Sequence, residues 1–235
     1  MNKRKEVDVP AMNILVTLFA LFMVAQKRYF KYYKTTAVFW LVGVVVCIMF
    51  LVDEDLIFLI ILVLAFLGFL ELTDNQLWKY PPFLWLYEVK DFSGTYCGTI
   101  EYLYFKEFKE NLYKQKIFKE YKKHLQLTLI IYQTGSEINI SFFYKDTVNK
   151  KSSKVESTKV VMSKTDDGQH FILTCYHGSL GILEEGGHHE TIVLKFLKSG
   201  DDCFIEGGFY DNRKLQGRGK FVNLKKVNQE TIHPF

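Results

Sequence analysis

Three long stretches without a charged side chain, at residues 11–25, 37–52 and 56–70, crowd the first third of the chain. A polypeptide cannot hide three such runs beside so short a polar remainder, so they point to a bilayer. Each run is 15 or 16 residues long, slightly short of the roughly 20 that cross a hydrocarbon core. Thr35, Thr36, Glu71 and Leu72 can lengthen the last two. A cleaved signal peptide does not fit, because no small-x-small site precedes Lys27-Arg28-Tyr29 and two more apolar runs follow.

Flanking charge sets the orientation. Lys3, Arg4 and Lys5 precede the first run, and Lys27, Arg28, Lys31 and Lys34 separate it from the second. Only Asp53, Glu54 and Asp55 lie between the second and third. Cytoplasmic loops gather Lys and Arg, so the last two runs read as a helical hairpin with its acidic turn outside. Both basic clusters favour the cytoplasm, which argues against the first run crossing; it lies in the interface, re-enters or packs on the hairpin. Two crossings are favoured over three. Either way the rest of the chain is placed in the cytoplasm, as the soluble part of a multi-pass inner-membrane protein. The anchor is assigned to residues 1–75. The segment Gln76-Leu77-Trp78-Lys79-Tyr80-Pro81-Pro82-Phe83-Leu84-Trp85-Leu86-Tyr87 follows, where Trp and Tyr suit the membrane interface and the two prolines stop a helix. Residues 76–90 form the linker.

Residues 91–235 change period. Leu125, Leu127, Leu129 and Ile131 alternate with Gln126, Thr128 and Tyr132, and Ile138, Ile140, Phe142 and Tyr144 alternate with Asn139 and Ser141. A period of two with one apolar face marks half-buried antiparallel strands. Eight are expected, near 92–104, 124–133, 137–145, 157–165, 170–176, 189–198, 202–210 and 217–227. Turns rich in Gly, Asp and Ser join them, among them Thr134-Gly135-Ser136 and Asp166-Asp167-Gly168. Eight strands with such joints suggest a small up-and-down barrel or a sandwich, and the fold class is taken as a membrane α-helical anchor plus an all-β domain, a small eight-stranded antiparallel β-barrel. Residues 106–123 hold seven Lys and three Glu and read as an exposed helix or a long hairpin loop.

Composition narrows the functions. The net charge is +4, with +3 of it after residue 80, too little for the dense basic stripe of a DNA or RNA binder. Cys47, Cys97, Cys175 and Cys203 form no paired spacing and are read as small buried hydrophobes in a reducing compartment. No nucleophile elbow, zinc-protease helix, P-loop or dinucleotide fingerprint occurs, so no catalytic residue is assigned. His188-His189-Glu190 resembles half a metal site, but adjacent strand residues face opposite ways and no second cluster supports it. No metal and no cofactor is expected; a binding module is.

The segment from His189-Glu190-Thr191 to Ile205-Glu206-Gly207-Gly208-Phe209-Tyr210-Asp211-Asn212-Arg213 and Gly217 carries a pattern: hydrophobic, any, Gly, any, aromatic, then Arg, then Gly. It resembles the β-barrel of bacterial CBASS antiphage effectors, in which a transmembrane region precedes a cyclic-nucleotide sensor. The order of parts agrees along nearly the whole chain. The lysine-rich stretch at 106–123 and the run at 11–25 depart from it. The resemblance implies that a CD-NTase made active by phage synthesises a cyclic di- or oligonucleotide, that the barrel binds it, that the effectors self-associate, and that the inner membrane is breached. A ligand with two phosphates and two bases needs cationic donors and aromatic faces. Arg213, after the seventh strand, is the phosphate candidate; Tyr132 and Tyr176 are the stacking candidates, followed by Tyr96 and His177. Two other readings stay open, a carrier of a lipid or other hydrophobe and an interaction module that senses nothing.

Overall fold

The computed structural model describes residues 30–51, 56–109, 116–146, 148, 152–168, 170–179, 188–199, 202–212, 216–228 and 230. The apolar run 11–25 and Arg213 lie outside them. Two compact units result: Met1–Asp91 together with Thr134–Glu137, and Phe92–Gln133 together with Ile138–Phe235.

In the first unit, helices α1 (Thr35–Leu51) and α2 (Leu56–Leu72) take up the second and third apolar runs. No described helix is long and apolar enough to cross a membrane. Each has 17 residues, which at 1.5 Å per residue span about 26 Å against a hydrocarbon core of about 30 Å. α2 leads into a π-helical turn (Thr73–Leu77), and a 3-10 turn (Leu84–Leu86) follows the two prolines. The segment before α1 pairs with the end of the linker. Lys34 donates its N–H to the carbonyl of Leu86 (2.8 Å), and Glu88 donates to Tyr32 (2.8 Å). Around this bridge Tyr33, Ala37, Val38, Trp78, Leu86 and Tyr87 are buried together. The linker is thus divided: Trp78 and Tyr87 belong to a core, while Tyr80, Leu84 and Trp85 are exposed.

The second unit is all β, and strands make up 56% of the described residues. Its strands are β1 (Gly94–Lys109), β2 (Lys116–Gln133), β3 (Ile138–Lys145), β4 (Ser152–Glu156), β5 (Lys159–Lys164), β6 (Phe171–Ser179), β7 (His188–Ser199), β8 (Asp202–Asp211) and β9 (Arg218–Asn228). They form one antiparallel sheet in the order β4-β3-β2-β1-β9-β8-β7-β6-β5, curled into a half-barrel. The count of eight is corrected to nine. The addition is β4, whose sequence Ser-Ser-Lys-Val-Glu offers no apolar alternation to read. The lysine-rich stretch is corrected too: its described residues are the far half of the β1–β2 hairpin, with Lys109 opposite Lys116.

The curl is visible in the hydrogen bonds. β4 and β5 are the two edges, yet only Ser157 and Thr158 separate them in sequence. Ser157 N–H donates to the carbonyl of Ile140 on β3 (3.0 Å), and Thr158 N–H to that of Tyr176 on β6 (3.0 Å). Inside, Leu127, Leu129, Ile131, Phe142, Leu173, Ile192, Leu194, Phe196 and Phe221 are all at most 2% exposed. Each such side chain contributes about 1.5–3 kcal/mol by leaving water.

Gly207 shows how tightly β7 and β8 approach. Its φ is +153°, and an added Cβ would lie 2.0 Å from the carbonyl oxygen of Val193. The position coincides with a register shift between β8 and β9, a bulge only glycine allows without strain. Gly207→Ala should lower the unfolding free energy by about 1–3 kcal/mol, the usual cost of overpacking. Denaturant titration followed by β-sheet circular dichroism measures it; an unchanged midpoint would show that the strands part without cost.

Candidate functional site

Strand register builds the site. On β5 to β9, Val160, Cys175, Ile192, Phe209 and Gly219 form one row facing the interior, and all but Gly219 are buried. The row beside it must face outward. It reads Lys159, Tyr176, Thr191, Tyr210, Arg218, each residue directly opposite the next. Tyr176 is 40% and Tyr210 49% exposed, values that leave ring faces open to a ligand. A second outward row, Val161, Thr174, Val193, Gly208, Lys220, lies alongside. Val161 and Val193 are exposed there, and Gly208 contributes no side chain.

The result is a shallow floor of Thr191, Val193 and Gly208 between two tyrosines. Two strand spacings separate the tyrosines, about 9–10 Å. His189 stacks on Tyr176 with ring centroids 5.2 Å apart, extending the aromatic surface. Lys159, Arg218 and Lys220 supply three cations on these two rows, and no carboxylate shares them. Glu101 is the first acid beyond, opposite Lys220 on β1. Its ion pair with Lys122 (2.9 Å) holds its carboxyl below the usual range, with Lys220 adding to the effect. Flat rings between cations suit a planar base that carries phosphate.

The interior at the same end of the strands has another character. Phe209, Tyr102, Tyr104 and Tyr121 form a continuous run of near-parallel rings, with centroids 5.7, 5.4 and 5.6 Å apart. Phe209 reaches Tyr102 across β9 because the intervening residue is Gly219, whose added Cβ would lie 2.0 Å from the Phe209 ring. His177, Glu190 and Asp211 are opposite one another on this interior face. His177 Nδ1 donates to the carbonyl of Glu156 (2.9 Å), and Asp211 Oδ1 accepts from Gly217 N–H (2.8 Å). Lys123 pairs with Asp146. His177 and Asp211 are thus held by main-chain groups and Lys123 by a carboxylate, and the acids outnumber Lys123.

The residues singled out from sequence are scattered. Tyr176 lies in the exposed row. His177, its neighbour, faces the interior. Tyr96 is wholly buried, its hydroxyl donating to the carbonyl of Phe92 (2.8 Å), with no face open to stacking. Tyr132 is half-buried near the opposite end of the sheet, opposite Asn139. Arg213 lies outside the described residues, just after Asn212, whose side chain accepts from His189 N–H (2.8 Å). Lys159, Thr191, Tyr210 and Arg218 were missed. Only the register across five strands aligns them.

Of the cysteines only Cys175 is buried; Cys203 is half-buried, Cys47 and Cys97 are exposed, and all four are free. Burial pushes the Cys175 thiol up to about 12. No group of three His, Cys, Asp or Glu among the described residues is placed to hold a metal ion. His189 and Glu190 face opposite ways, as adjacent strand residues must. No family model, curated protein or solved structure matches this chain.

Two outcomes check this geometry. Tyr210→Ala and Arg218→Ala should each change stability by no more than about 0.5 kcal/mol, since neither supports the core. In the native protein at pH 8, a thiol reagent should modify Cys97 rapidly and Cys175 only after unfolding, read by mass spectrometry of peptides. Fast native labelling of Cys175 would contradict its placement.

Proposed function

We propose that the chain is a membrane-attached sensor that binds a cyclic di- or oligonucleotide on the outer face of β5–β9, and that it acts as an antiphage effector of the kind its sequence resembles. The observation that carries this reading is the row Lys159, Tyr176, Thr191, Tyr210, Arg218. It offers two ring faces for bases and a cation at either end for phosphates. Cations shared with Lys220 favour a compact, doubly charged ligand over a polymer. The polar and charged groups His177, Glu190 and Asp211 on the interior face argue for a ligand held outside rather than a lipid carried within. Sensing, not catalysis, is what this surface suits.

The first unit supports the membrane half of the proposal. Phe39, Trp40, Val44, Ile61 and Leu64 are exposed on α1 and α2. Contiguous apolar surface of this kind marks a contact with lipid or protein. Nucleotide made by a CD-NTase would favour association of the anchored chains, and the assembled helices would breach the inner membrane.

Calorimetry of the detergent-solubilised chain against cyclic di-GMP, cyclic di-AMP, mixed guanine–adenine cyclic dinucleotide and a long-chain fatty acid tests the binding half. One cyclic dinucleotide should bind. Tyr210→Ala should weaken it by about 1–3 kcal/mol, the worth of one stacked base, or roughly fivefold to 150-fold. Arg218→Ala should cost about 1.5–3 kcal/mol through the lost charge-assisted contact. Binding of the fatty acid alone would restore the carrier reading. For the membrane half, Val45→Arg or Leu64→Arg should cost about 2.5–3.5 kcal/mol of insertion each and abolish dye leakage from vesicles while sparing binding.

A further inference from the structure

The strongest unassigned feature is a buried carboxylate in the first unit. Asp74 lies in the π-helical turn that ends α2 and is 9% exposed. Its Oδ1 accepts a short hydrogen bond from Ser136 Oγ and a long one from Tyr33 OH (3.5 Å). Its Oδ2 accepts from Thr134 Oγ1 (3.3 Å). Its main-chain carbonyl accepts from Gly135 N–H (2.9 Å). Tyr87 OH lies 2.9 Å from Tyr33 OH and completes the set. Gly135 has no room for a side chain, since an added Cβ would lie 2.4 Å from the Tyr87 ring and 2.6 Å from Asp74 Oδ1. One residue therefore ties together the end of α2, the segment before α1, the linker and the turn 134–137.

That turn is the covalent link between β2 and β3. We propose that Asp74 is a latch through which movement of the β2–β3 pair reaches the apolar helices. This inference rests on the sensor reading above and names how its two halves communicate. Packing alone does not call for a carboxylate here, because an apolar or amide side chain fills the same space. Burial raises the pKa of Asp74 above the usual carboxylate value, and Glu71 adds to this; the hydrogen bonds from Ser136, Thr134 and Tyr33 pull the other way. The phenols of Tyr33 and Tyr87 are also raised by burial and stay neutral. An ionised Asp74 therefore carries a cost to stability, a pattern found where function overrides local optimisation.

The sign follows from linkage. A carboxyl raised by folding contributes stability that is full below its unfolded value and is lost as pH rises through the folded one. Asp74→Asn, which keeps the shape and one acceptor, should therefore melt at or above wild type at pH 7 and lose that acid-side gain. Asp74→Ala, which removes every side-chain acceptor, should free the turn.

Hydrogen exchange on the full chain in detergent tests the latch without any nucleotide. In Asp74→Ala the amides of 134–137 should exchange at least tenfold faster, with β2 and β3 unchanged at 127–131 and 140–143; Asp74→Asn should restore most of the protection. Unchanged exchange at the turn in Asp74→Ala overturns the latch, as does loss of protection spread over the whole sheet. The second arm uses dye-loaded phosphatidylethanolamine–phosphatidylglycerol vesicles and the three cyclic dinucleotides named above. Asp74→Ala should bind as wild type does and lose nucleotide-stimulated leakage; retained leakage also overturns the latch. Should wild type ignore all three nucleotides, the sensor reading falls and the exchange arm alone decides the latch.

Discussion

The register of the β5–β9 ladder is the constraint on which the site depends. A slip of one residue turns every side chain to the opposite face. Tyr176 and Tyr210 would then enter the core, and Cys175 and Phe209 would meet water. The register is held from inside, by the fully buried Leu173, Ile192, Leu194 and Phe196, and locally by the close approach of Gly207 to Val193. The exposed row is thus a by-product of core packing one residue away.

The outer row and the interior at the same strand ends use similar residue types for different ends. Inside, four rings lie against one another, and His177, Asp211 and Lys123 each have a partner in hydrogen-bond or ion-pair reach. Outside, Tyr210 and Arg218 are exposed and make no contact that the core needs. The difference sets the two surfaces apart. Stacked and paired groups must be separated before they can bind anything, whereas the outer row needs only to shed water.

The first unit is built on a different balance. Its helices expose large apolar side chains, so most of their stabilisation is deferred to whatever covers them. What is settled within the unit is the junction: the antiparallel bridge of Tyr33 with Tyr87, the packed Trp78 and Leu86, and the hydrogen-bonded Asp74. A polar cluster so close to apolar helices fixes one arrangement, because each buried donor has few alternative partners. The two apolar helices are in this way given a defined end.

The sequence by itself determined the two apolar helices and the positions of six strands to within a few residues, together with the near side of the hairpin that β1 and β2 extend through the lysine-rich stretch. Those features are local, since periodicity and turn residues act over a few neighbours. It did not reveal β4, where five polar-leaning residues are strand only because β3 offers them an edge. Nor did it separate His177 from Tyr176, or Tyr96 from the exposed tyrosines, since all four candidate aromatics near strand ends look alike until a register is assigned. The row Lys159, Tyr176, Thr191, Tyr210, Arg218 draws on five strands spread over sixty residues, and Asp74 meets Ser136 from 62 positions away. Such meetings were decided only by the tertiary structure, because side chains remote in sequence become neighbours through pairing that the core, and not the local chain, selects.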